Sequence, residues 1–157
     1  MPNLPPGEIL KVIPHGYAEV VKLYGDASQP SFVRNLIMME FPYPLEYLDA
    51  PITHCTVHRL AGPNLWAALS LIQERGLQGE FKRYAGVYCY RPKRGVQQMS
   101  MHAFGIAIDG DAEKYPLGSA DRYPDEVIEC FRQFGWFYGG DFSGRKDPMH
   151  FQLAAGV

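Results

Sequence analysis

The chain has 157 residues, a formal net charge of −2, 46% apolar and 20% charged residues, the composition of one soluble globular domain that removes roughly 70% of its unfolded surface from water. This balance and a pI near 6.2 exclude a general electrostatic attraction to nucleic acid or an anionic membrane surface, and no apolar run reaches the ~20 residues that span a bilayer. The opening MPNLPPGEILKVIPHG has no basic segment followed by an apolar one, so no secretory leader is expected.

In chain order, the first fifty residues are rich in Pro and aromatics. A short helix is predicted around Gly16 to Tyr24, and the rest of this region, including SFVRNLIMMEFPYPLEYL, reads as an irregular wrapping arm (1–50) ahead of a core (51–157). ITHCTVHR (Ile52 to Arg59) alternates apolar and polar residues and predicts a strand. Pro63 opens a helix, PNLWAALSLIQERG, whose Leu65, Leu69 and Ile72 keep helical spacing and whose end is marked by Gly76. AGVYCYR (Ala85 to Arg91) predicts a second strand, stopped by Pro92 because the residue before proline avoids helical angles. RPKRGVQQMS is a polar loop, GIAID a strand, and PDEVIECFRQFG (Pro124 to Gly135) an amphipathic helix. WFYGGDFSGRKDPMHFQL closes the chain as a glycine-rich loop running into a last strand. Together these predict a single small α+β domain, its strands grouped toward the C-terminal half. Cys55, Cys89 and Cys130 are widely spaced without a CxxC and read as reduced packing residues of a cytosolic chain.

Five histidines are present. His54 and His58 have the H-x3-H spacing that chelates zinc from one face of a helix. On a strand, four residues at ~3.3 Å each separate them by about 13 Å, too far for one ion, so surface or half-buried strand positions are expected. His15, beside a proline in the arm, carries no signal. His102 and Asp109 sit at the two ends of the apolar segment SMHAFGIAID, and His150 precedes the last strand. Two imidazoles and one carboxylate with an open fourth position form the usual ligand set of a hydrolytic zinc site. From spacing alone two readings stay open, ordinary polar ends of core strands or ligands of one ion. Asp147 precedes His150 by three positions, and Pro148 between them excludes a regular helix, so DPMH is a turn or an extended stretch. There Asp147 is either a turn residue or a carboxylate that moves a proton beside the ion.

SMHAFGIAID together with KDPMHF resembles the SxHxxGxAxD and (D/E)xxH motifs of the zinc D,D- and L,D-peptidases. That group includes D-alanyl-D-alanine carboxypeptidases and dipeptidases, and phage endolysins that cut L-alanyl-D-glutamate. The similarity runs from about Thr53 to Leu153. It implies a Hedgehog/DD-peptidase-like fold with a central, mainly antiparallel sheet flanked by helices. It also implies one Zn2+ held by His102, Asp109 and His150, with Asp147 as general base, where many relatives carry Glu. Ser100 matches the motif serine, for which substrate binding and loop capping are equal readings. An arginine before the motif binds substrate or steadies the oxyanion in relatives. Arg91, read as a strand terminus, is favoured over Arg94 in the loop. Gly110 and Asp111 stand where relatives often have an apolar residue and Asn, sparing the ligands.

The resemblance implies a zinc metallopeptidase acting on the stem peptide of peptidoglycan. The expected type is a phage endolysin cutting L-alanyl-D-glutamate, a monomer kept in the cytoplasm until it is released to the wall, with neither nucleic acid nor membrane as partner. A D-alanyl-D-alanine carboxypeptidase is the nearer alternative, and a non-catalytic zinc-containing binding domain of the same fold the farther one.

Overall fold

A computed structural model of the chain describes residues 5–91 and 98–157. It is an α+β domain of three helices and six strands among these residues: α1 (Tyr17–Tyr24), β1 (Leu36–Tyr47), β2 (Ala50–His58), α2 (Gly62–Glu74), β3 (Tyr84–Gly86), β4 (Ala107–Gly110), α3 (Asp125–Arg132), β5 (Phe137–Tyr138) and β6 (His150–Gln152). None of the helices is long and apolar enough to cross a membrane.

Two features differ from the sequence reading. Residues 36–47 are a twelve-residue strand, not an irregular arm. Met39, Phe41, Tyr43 and Leu45 alternate inward, the period-two pattern of a half-buried strand. Pro42 and Pro44 disguise it, yet both fall in the stretch where pairing with β2 shifts register, between Glu40 and Leu45, the kind of place where a strand tolerates proline. The strands also form two sheets. β1 and β2 make an antiparallel hairpin, while the other four pair in the order β3-β4-β6-β5, all antiparallel.

The core lies between these sheets and the helices. α2 buries Leu65, Ala68, Leu69 and Ile72, and α3 buries Val127, Ile128, Cys130 and Phe131. Phe151 of β6 stacks on Phe131 with ring centroids 3.9 Å apart, and burial of such a ring contributes roughly 2–3 kcal/mol. Cys55 and Cys130 are packed inside as expected, whereas Cys89 is exposed.

His54 is exposed on β2, but His58 is fully buried at 0%. Its Nε2 bonds the Tyr24 carbonyl at 2.8 Å, and its Nδ1 accepts from Leu60 N–H at 3.0 Å. That tautomer makes it a neutral brace between α1 and the end of β2. Burial, with Arg59 adding, lowers its pKa from 6.5 to about 4 against the opposing Tyr24 bond. The folded state therefore resists a proton that the unfolded chain accepts. Stability from the neutral ring is complete above about pH 6.5 and lost as pH falls toward 4, by on the order of 3 kcal/mol. His58→Gln is expected to flatten that part of the difference curve in urea melts of metal-loaded protein, without changing turnover per folded molecule. An unchanged acid slope would remove His58 as its source.

Candidate metal centre

β4 and β6 pair so that Asp109 lies directly opposite His150, Ile108 opposite Phe151 and Ala107 opposite Gln152. Alternation then sends Ile108 and Phe151 into the core and puts Asp109, His150 and Gln152 on the other face. His102 arrives from a 3₁₀ turn, Met101–Phe104, rather than from a strand end. Ser100 caps that turn by accepting from Ala103 N–H, and Gly105 ends it in the left-handed region at φ 70. A Cβ on Gly105 would meet His58 N at 2.8 Å, so only glycine lets the turn lie against β2, where His58 N–H donates to Gly105 O at 2.9 Å.

The ligand-type atoms of His102, Asp109 and His150 lie within 4.8 Å of one another. His102 Nδ1–H donates to the buried Val87 carbonyl at 2.7 Å, which leaves the Nε2 lone pair facing Asp109 Oδ1 at 3.2 Å. That Nε2 is buried and has no hydrogen-bond partner. A bare imidazole lone pair held against a carboxylate oxygen is repulsive unless a cation lies between them. His150 Nδ1 reaches the same Oδ1 at 2.9 Å. The donor set therefore fits a metal ion, with two ring nitrogens and a carboxylate converging from two strands and one turn. Burial alone would raise the Asp109 carboxyl; positive charge on the ring nitrogens around it outweighs burial and holds the group well below the usual carboxylate range.

Asp147 stands beside this set. The turn Asp147–His150 closes through His150 N–H donating to Asp147 O at 3.1 Å, with Pro148 in the position that presets its angle. Asp147 Oδ2 then lies 3.9 Å from His150 Nδ1. Burial raises its carboxyl above the ordinary range, although His150, His102 and Arg91 oppose the rise. The turn packs onto Gly139, where a Cβ would sit 2.3 Å from the Asp147 carbonyl oxygen. That glycine is needed for the carboxylate to reach the site, and nothing in the sequence distinguished it from its neighbour Gly140.

A cleft of about 1010 Å³ opens over these groups, lined among others by Arg91, Ser100, His102, Asp147 and His150. Residues 94–153 match the family model described as D-alanyl-D-alanine carboxypeptidase. Over that segment the chain is similar to the D-alanyl-D-alanine carboxypeptidase family. No curated protein and no solved structure matches the chain. The whole donor set and Asp147 fall inside the family segment, and Arg91 lies just before it.

Two expectations change. The predicted strand Ala85–Arg91 stops at Gly86, whose φ of +127 ends regular pairing. Arg91 is thus on an exposed irregular stretch, not a strand terminus, yet it lines the cleft and its charge acts on Asp147. Arg94 lies outside the described residues. Asp111 turns away from the metal set, accepting from Lys82 N–H, Arg83 N–H and the Tyr123 hydroxyl, so its carboxylate serves the fold.

Proposed function

We propose that the chain is a zinc peptidase that hydrolyses the stem peptide of peptidoglycan, of the L-alanyl-D-glutamate endopeptidase type. The observation that carries this reading is the unpartnered His102 Nε2 aimed, with His150 Nδ1, at one oxygen of Asp109. The match of residues 94–153 to a family model described as D-alanyl-D-alanine carboxypeptidase supports the substrate class.

His102 Nε2, His150 Nδ1 and an Asp109 oxygen would hold the zinc. Bound there, zinc supplies Lewis-acid polarisation of a peptide carbonyl and makes water a stronger acid. Asp147 Oδ2 takes a proton from the attacking water as the carbon–oxygen bond forms. It returns that proton to the amide nitrogen as the carbon–nitrogen bond breaks. A carboxyl raised by burial is suited to both halves of that exchange. Arg91, which lines the cleft, donates to the carbonyl oxygen or to a substrate carboxylate. Ser100 and Arg94 contact the flanking peptide; the Ser100 oxygen accepts within its own turn and keeps its hydrogen for substrate.

The cleft reaches past the metal set to Trp136, Phe137 and the last residues of the chain, room for peptide on both sides of the cut bond. The carboxypeptidase reading is favoured by the family description. Digestion of purified wall fragments separates them. Mass spectrometry of the products is expected to show stem peptides cut between L-alanine and D-glutamate. Release of terminal D-alanine alone would replace this reading with the carboxypeptidase one, and intact fragments after treatment with zinc-loaded protein would end both.

A further inference from the structure

His150 has two ring nitrogens and only one can face the metal. Its Nδ1 points to Asp109, and its Nε2 lies 2.9 Å from Gln152 Oε1. What decides that Gln152 presents oxygen there is the other end of its amide. Gln152 Nε2 lies 3.0 Å from Ala154 O and 3.2 Å from Val157 O. Both are carbonyl acceptors, so only the NH2 group can serve them. The side chain is 3% exposed, and the reversed amide would set its oxygen against two acceptor oxygens, at about 1–3 kcal/mol for each hydrogen bond lost.

The last residues are held in turn from the opposite end of the chain. Ala155 N–H donates to Pro14 O at 2.9 Å, and Gly16 N–H donates to Ala155 O at 2.8 Å. The Tyr24 hydroxyl donates to Leu153 O at 2.8 Å. The early segment and α1 thus pin the strand that carries His150 and the turn that orients Gln152.

We infer that Gln152 is a positioning residue, which locks His150 with its Nε2–H on the amide and its Nδ1 lone pair on the metal, and that the segment 14–24 maintains this lock through the C-terminal turn. The inference rests on the zinc reading above. An outer partner of this kind commonly governs metal affinity, and its loss costs ~10–100-fold.

Two measurements on the full chain test it. Zinc affinity by competition with a chromophoric chelator is expected to fall ~10–100-fold in Gln152→Met, a variant of similar volume with no amide. Nitrogen-15 NMR of the zinc-loaded wild type is expected to show His150 protonated at Nε2, with that proton exchanging slowly and losing its protection in Gln152→Met. A ring protonated at Nδ1 in the loaded wild type overturns the inference, as does a Gln152→Met affinity within about twofold of wild type. If the variant does not fold, the wild-type ring pattern still decides. A wild-type chain that takes up no zinc at all defeats the metal reading itself, a result distinct from equal affinities in the two proteins.

Discussion

Asp147→Asn is expected to keep its fold and its zinc while turnover on wall peptide falls by a factor on the order of 10² to 10⁴, the usual contribution of general acid–base catalysis. That range corresponds to roughly 3–5 kcal/mol of barrier. The fold should survive because Asp147 holds its turn through the backbone. Its N–H donates to Gly139 O at 3.0 Å, and its carbonyl accepts from His150 N–H. Neither bond involves the carboxylate, and the amide of Asn is nearly isosteric. What the amide cannot do is take a proton and give it back. Asp147→Glu is the informative companion. It restores the chemistry but displaces the carboxylate by about one methylene against the tight packing on Gly139, so partial activity is expected. If Asp147→Asn turns over at the wild-type rate, Asp147 is only a turn residue and another acid carries the proton. Asp111 is already engaged by two backbone amides and Tyr123. Asp141 lines the cleft but is paired with Arg122 at 2.9 Å and Arg132 at 2.7 Å, and it would be the next acid to replace.

The second large effect concerns the donor set. His150→Ala or His102→Ala is expected to reduce zinc from near one per chain to a trace, by more than the ~10–100-fold in affinity that loss of an outer partner costs. Activity should vanish with it. Stability supplies an independent readout. A ligand that binds only the folded state at 1,000 times its Kd stabilises by about 4 kcal/mol, so added zinc should raise the Tm of the wild type and leave the alanine variants unmoved. The structure gives the reason: without a cation, His102 Nε2 and Asp109 Oδ1 face each other 3.2 Å apart in a buried site. A His150→Ala chain with wild-type zinc content and activity would refute this ligand set.

Much of this was legible in the residues. Helical spacing and the flanking Pro and Gly located α2 and α3, and alternation located β2. Pro148 excluded a helix through DPMH, which forms the turn that brings Asp147 beside His150. The motif pair named His102, Asp109, His150 and Asp147 before any geometry was known. These signals are local, because each depends on residues a few positions apart. Alternation in Met39, Phe41, Tyr43 and Leu45 was also present but was masked by Pro42 and Pro44, which argue against a strand unless its pairing partner is known. The end of β3 at Gly86 was hidden for the same reason, since Val87 to Arg91 has strand-like composition and only the positive φ of Gly86 interrupts it.

By itself, then, the sequence determined the residue types of a candidate metal site, their order along the chain and most of the elements that bear them. Only the tertiary structure decided which nitrogen of each histidine faces Asp109, because the other is taken by the Val87 carbonyl for His102 and by Gln152 for His150. It also decided that His58 is a buried brace, that Asp111 serves the fold, and that Gly139 makes room for the Asp147 turn. Asp109 and His150 meet because β4 and β6 pair across forty-one positions, and Gln152 is oriented by a turn tied to residues 14–24. The physical reason is common to all of these. Hydrogen-bond direction and close approach arise between segments distant in the chain, and spacing along one strand or one turn carries no record of what will be packed against it.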